Sequence, residues 1–138
     1  MIQVNTYPPN IEQIRKHLAV DRKGIIYTYG KVIYNPDNGY LDQALLFHEA
    51  THSLQQDKLG PEKWWDKYLE DKDFRLSQEV EAYKNQYNKY CKTVKDRNER
   101  ARFLHQIAFD LSSEQYGNIA TLMEAKKLIE HGNKAISK

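Results

Sequence analysis

The pentapeptide His48-Glu49-Ala50-Thr51-His52 sets two imidazoles four residues apart with a carboxylate between them. On a helix, residues i and i+4 lie on one face, one turn apart. Two histidines at that spacing can converge on a single cation, and a site of imidazoles with a carboxylate suits Zn²⁺. Glu49, turned to the side of that face, can reach a water at the metal without being a ligand. That is the arrangement H-E-x-x-H provides for a general base. Leu46, Phe47, Ala50 and Leu54 fall on the other side of the helix. They are expected to anchor it in the core and to aim His48 and His52 outward into a cleft.

Two imidazoles do not complete a catalytic zinc site, which takes three protein ligands and keeps a position open. His105 and His131 have no supporting pattern around them. The segment Ser77-Gln78-Glu79-Val80-Glu81-Ala82-Tyr83 is the better source, with Glu79 standing 27 residues after His52. That gap holds one intervening helix and a return turn. Glu79 and Glu81 are both candidates.

His48-Glu49-x-x-His52 followed by Glu79-x-x-Ala82-Tyr83 resembles the gluzincin branch of the zincin metallopeptidases. Members take a third ligand from a glutamate on a downstream helix, often in an E-x-x-A-D context. The resemblance covers about residues 24–90. It implies that His48, His52 and Glu79 hold one Zn²⁺ per chain, with Glu81 as the alternative third ligand. Tyr83 stands where many members carry aspartate. The implied reaction is peptide-bond hydrolysis by a metal-activated water, with Glu49 as general base. A further donor would stabilise the oxyanion, and Tyr116 is the expected one, with Tyr83 and His105 as alternatives. In such folds the strand before the active-site helix is commonly an exposed edge that pairs with extended substrate. By that analogy Lys31 and the stretch Val32, Ile33 and Tyr34 would bind substrate through the main chain. The other reading is a zincin-like domain whose metal is structural or whose activity is lost. It would act as an interaction module, for example in a phage particle. Glu49 favours the enzyme, since a structural site needs no general base.

These side chains need a scaffold. Asn10 with Gln13 three residues on reads as a capping box opening a helix over about 11–19. Residues 24–35 are rich in β-branched and aromatic side chains, with Gly24, Gly30 and Gly39 as punctuation. They predict two short strands or one bulged hairpin. Helices are expected near 40–58, 61–70, 74–94, 96–111 and 118–131, with Pro61 at a helix start. The expected class is α+β: a mostly helical, minimal zincin-like fold with a small antiparallel hairpin ahead of the active-site helix. A single domain over 1–138 is expected, with a core at about 24–94 and a C-terminal helical extension at 96–138.

Composition excludes several classes. The 138 residues carry 21 basic and 19 acidic side chains, a formal net of +2, which gives a nucleic acid little to hold. Mean hydropathy is −0.85, and the longest apolar run, Ala44–Phe47, is four residues, so no membrane partner is expected. The single Cys91 excludes an internal disulfide and an all-cysteine zinc site. The first residues carry no signal-peptide pattern. A cytoplasmic, phage-encoded or bacterial accessory protein with a peptide or protein substrate is the expectation. The spacing of Tyr83, Tyr87 and Tyr90 predicts a packing stripe, and at least one of Trp64 and Trp65 should be core.

Overall fold

The computed structural model describes residues 1–136, with side chains described through 131; the end of the expected C-terminal extension lies outside this range. The chain runs β1 (Ile2–Val4), α1 (Ile11–His17), β2 (Tyr27–Tyr29), β3 (Val32–Tyr34), α2 (Gln43–Leu59), α3 (Pro61–Glu70), α4 (Lys72–Thr93), α5 (Arg97–Leu111), a 3₁₀ turn at Glu114–Tyr116, and α6 (Leu122–Ile136). It is a mostly helical α+β chain with a small mixed sheet. Among the described residues no helix is long and apolar enough to cross a membrane.

Local side-chain chemistry sets the helix boundaries. Asp42, Asp71 and Asp96 each accept the backbone N–H three residues on, which starts α2, α4 and α5. Helix α2 therefore begins at Gln43 rather than near residue 40, and the break before α4 shrinks to Asp71. Pro61 opens α3 after Gly60, whose φ of 82° few other residues tolerate. Thr121 and Glu124 form a reciprocal capping box ahead of α6. Asn10 does not cap α1 with its side chain. It donates to Gln13 instead, over 3.3 Å.

The sheet order is β1-β3-β2, with β1 parallel and β2 antiparallel to β3. The N-terminal strand has three residues and is cut short by Asn5 and Pro8-Pro9, too little pattern for the sequence to announce it. Strand β3 is thus the central strand. The substrate-edge expectation for Val32, Ile33 and Tyr34 does not hold, because β1 and β2 occupy both sides of that main chain. Ile33 itself is buried.

The other edge is closed by side chains. Gln56 of α2 donates to the Thr28 carbonyl at 2.8 Å and accepts from the Gly30 N–H at 2.6 Å. Ser53 donates to the Gly30 carbonyl, and the Trp65 indole N–H also reaches the Thr28 carbonyl. These bonds fall on the side of β2 away from β3, where alternate residues of an antiparallel pair point their polar groups.

Two apolar clusters flank α2. One joins α1, β2 and α3 through Ile14, Leu18, Tyr27, Trp64, Trp65 and Tyr68, so both tryptophans are core. The other joins α4, α5 and α6 through Val80, Tyr83, Leu104, Leu111, Ala125 and Ile129. Of the expected tyrosine stripe, Tyr83 is fully buried and Tyr87 packs against this second cluster. Helix α2 makes its most extensive packing with α4.

Candidate metal centre

Helix α2 is turned opposite to its apolar pattern. Its buried residues are Ala44, His48, Glu49, Thr51, His52, Ser53, Gln55 and Gln56. Phe47 is 45% exposed and Leu54 is 66% exposed, so the expected apolar back face looks outward. The physical reason is that the polar face finds partners on every side. Burying a polar group is costly only when its hydrogen bonds go unmade. Thr28, Gly30, Gln78, Glu81, Asn85 and Gln86 all supply bonds to this helix.

Inside this seam His48, His52 and Glu79 converge. Their candidate ligand atoms all lie within 4.8 Å of one another, and all three residues are buried. His48 Nε2 and His52 Nε2 are 3.1 Å apart. Glu79 places Oε1 3.2 Å from His48 Nε2 and Oε2 3.2 Å from His52 Nε2.

The far side of each imidazole is tied down. His48 Nδ1 lies 3.0 Å from Gln86 Oε1, and His52 Nδ1 lies 2.8 Å from Gln55 Oε1. The Gln55 amide nitrogen donates to the Gln78 carbonyl and to Glu81, which can only accept, so its oxygen must face His52. An amide oxygen also only accepts, so Nδ1 carries the proton and Nε2 is left to ligate. Metal-bound histidines are held in this way. Glu81 thus acts through Gln55 and does not enter the cluster. Tyr83 meets His48 ring-to-edge at 4.4 Å, and Gln86, three residues further along α4, does the orienting.

Glu79 is fixed by Tyr68, whose hydroxyl donates to Oε2 at 2.6 Å. Its Oε1 is buried with no hydrogen-bond partner among the described residues. Such an orphaned oxygen 3.2 Å from His48 Nε2 is what a carboxylate ligand leaves free for a cation. Three buried His and Glu residues could therefore hold a metal ion, and their two nitrogens and carboxylate fit zinc.

The electrostatics agree with a tightly coupled site. Burial opposes a charged His52, but the adjacent Glu79 carboxylate outweighs it and pushes the imidazole up to about 9. Burial likewise opposes an ionised Glu79. The His52 and His48 imidazoles win, and its carboxyl stays well below the ordinary range.

Glu49 lies beside the triad and outside it. Its Oε1 accepts from Thr28 Oγ1 at 2.9 Å, and its Oε2 is 3.9 Å from His48 Nε2. Burial raises its pKa above the ordinary carboxylate value, against the pull of both histidines and Thr28. A base lifted in that direction is better matched to proton transfer near neutral pH.

Tyr116 reaches the same place from the turn after α5. Its hydroxyl is 2.7 Å from that of Tyr83, and burial raises both phenols well above their usual value. Arg75 holds the turn. Its buried guanidinium donates to the carbonyls of Tyr116, Tyr68 and Leu69, the last two near the C-terminal end of α3. Gly117 has φ of 85°, which favours glycine, and a Cβ there would sit 3.1 Å from an Arg75 nitrogen, closer than ordinary contact. His105 is on the exposed side of α5 and is not brought to the site.

An inner cavity of about 50 Å³ is lined by His48, Glu49, His52 and Glu79 together with apolar side chains such as Leu18, Ile25 and Trp65. It has room for water beside the triad. An outer cleft of about 460 Å³ shares His48, Glu49, Ile25, Ile26, Gln115 and Tyr116 with it. Arg22, on the outer cleft alone, donates to Gln115 of the shared wall at 2.7 Å.

The sequence had pointed to His48, Glu49, His52, Glu79 and Tyr116, and the structure brings all five together. It missed Tyr68, Gln55, Gln86 and Thr28. Glu79, Tyr83 and Gln86 recur at helical spacing on one face of α4, a signal that could have found Gln86. Nothing in the local pattern marks Tyr68 or Thr28. No family model, curated protein or solved structure matches the chain.

Proposed function

We propose that the chain is a zinc-dependent metallopeptidase acting on a peptide or protein. The observation that supports it best is the convergence of two Nδ1-anchored histidines and Glu79, with the separate carboxylate of Glu49 alongside. His48, His52 and Glu79 would hold the ion. When bound, zinc supplies a Lewis acid that polarises a carbonyl and acidifies water. Glu49 accepts the proton of the attacking water and delivers it to the leaving amine. Thr28 holds one Glu49 oxygen and leaves the other turned toward His48. The Tyr83–Tyr116 hydroxyl pair, kept protonated by burial, offers a donor to the developing oxyanion.

A second reading has one observation in its favour. His48, Glu49, His52 and Glu79 are all nearly withdrawn from solvent. A metal held there for stability alone would suit a non-catalytic interaction module. Glu49 separates the two readings, because it contacts the triad without being needed to complete it.

The test is metal content by mass spectrometry on wild type, Glu79→Ala, Glu81→Ala and Glu49→Gln, purified without added metal, alongside hydrolysis of a generic protein substrate. The expected result is one zinc per chain in all but Glu79→Ala. Cleavage should fall about 10²–10⁴-fold in Glu49→Gln with zinc retained. Bound zinc without hydrolysis of any substrate would favour the interaction module. Absence of zinc from the wild type would remove the metal site itself.

A further inference from the structure

The outer cleft carries an acid that its own helix disfavours. Asp110 lies in the last turn of α5, where the helix carbonyls already present negative partial charge. No basic residue stands in that turn to offset it. Among the described residues its carboxylate takes part in no hydrogen bond or ion pair; only its backbone carbonyl is used, by Ser112 and Ser113. Burial raises its pKa, against the pull of Arg22 and His48. Residues that break a local rule without compensation concentrate at functional sites.

Asp110 is also in the right place. It lines the cleft that His48, Glu49 and Tyr116 line. The other acid on that wall away from the metal cluster, Asp42, is engaged as the cap of α2. Arg22 lines the same cleft and its charge acts on Asp110, but its guanidinium is turned to Gln115 and makes no ion pair with Asp110 among the described residues. Tyr90 and Phe103, which also line the cleft, stack face to face, 3.9 Å apart and 7° from parallel. Aromatic rings attract cations, and a partly desolvated carboxylate lining the same cleft does so more strongly.

We propose that Asp110 is a specificity residue that binds an ammonium or guanidinium group of the substrate in the outer cleft. The word substrate rests on the peptidase reading; the cation subsite is tested apart from it. The group could be a basic side chain or a free α-amine, and the probes tell these apart.

The experiment is calorimetric titration of zinc-loaded Glu49→Gln protein with three hydroxamates: Nα-acetyl-lysine, Nα-acetyl-norleucine, and norleucine with a free α-amine. One of the two cationic compounds should bind about tenfold more tightly than acetyl-norleucine, the strength of a charge-assisted hydrogen bond. Whichever it is identifies the source of the cation. Asp110→Asn in the same background should bring that preference below about twofold and leave acetyl-norleucine unchanged. Equal binding of all three, binding of none, or a preference that survives Asp110→Asn overturns the proposal.

Amide chemical-shift mapping with Nα-acetyl-lysine amide and norleucine amide on metal-free protein supplies a metal-independent readout. Shifts around Asp110, Tyr90 and Gln106 with either probe support the subsite, and their absence with both counts against it. A cation preference in a protein that hydrolyses nothing keeps the subsite and removes the peptidase reading. Hydrolysis with no cation preference does the reverse.

Discussion

Two buried regions meet along α4 and are built on opposite plans. Toward α5 and α6 the interior is Val80, Leu104, Ile107, Leu111, Ala125 and Ile129. Toward α2 it is His48, Thr51, His52, Gln55, Gln86 and Glu79. The first region is held by non-directional apolar contact, which accepts any side chain of the right volume. The second is held by paired donors and acceptors, where identity and geometry both count. The same helix serves both because its residues sort by face: Val80 and Tyr87 to one side, Glu79 and Gln86 toward the other, with Tyr83 at the boundary, in the apolar cluster and against the His48 ring. The polar seam is where a cation could be held, and the apolar cluster is the anvil that keeps it in register.

That contrast can be broken most severely in the apolar half. Leu111→Ala should cost about 2–5 kcal/mol of folding stability, read from denaturant unfolding, with zinc stoichiometry unchanged in the folded fraction. In the seam, Gln86→Ala should weaken zinc about 10–100-fold in competition with a chelating dye, because His48 loses its Nδ1 acceptor. An unchanged zinc affinity in that variant would falsify the orienting role of Gln86. Gln56→Leu keeps bulk but leaves the Gly30 N–H without its acceptor, and should cost about 1–3 kcal/mol in the same unfolding assay.

The pH response should differ between the metal-free and zinc-loaded protein. The His52 value of about 9 lies above its ordinary 6.5. Its pairing with Glu79 therefore contributes stability that is fully present below about pH 6.5 and lost as pH rises toward 9. Glu79 is shifted down from 4.5, so its contribution is present above that pH and lost on acidification. With a chelator present, Tm should fall between pH 6.5 and 9. With zinc present it should not, because the metal binds better as the protons leave. A flat profile in chelator would mean the pair is not formed. The smallest effect belongs to the outward face of α2: Leu54→Lys should change stability by no more than about 0.5 kcal/mol. A large loss there would mean this face is covered in solution.

The residues of the candidate metal centre were more legible in the sequence than their setting. His48, Glu49 and His52 were legible because ligand geometry ties residue type to helical spacing, whereas Glu79 rested on the family resemblance and shared its place with Glu81. Helix existence was legible from capping and breaking residues, and Pro61 marked the start of α3 correctly. The orientation of α2 was misread, because the rule that apolar faces turn inward assumes the polar face has nowhere to bond. The partners that overturn it, Thr28, Gly30, Gln78 and Gln86, come from other elements and leave no trace in the helix's own pattern. Strand β1 was missed for a related reason: a three-residue strand is specified by the partner it pairs with. The edge assignment for β3 failed with it.

The side-chain amide of Gln56 pairs with Thr28 and Gly30 as the backbone of a neighbouring strand would. The sheet is in effect finished on that side by a helix. An edge so occupied offers no template for a second chain, and self-association by sheet extension has only β1 to work with. That strand is three residues long, too short to register another molecule firmly. Removing the Gln56 amide would leave the Gly30 N–H unpaired, but Ser53 and the Trp65 indole would still cap the carbonyls beside it, so the edge stays closed to a second chain.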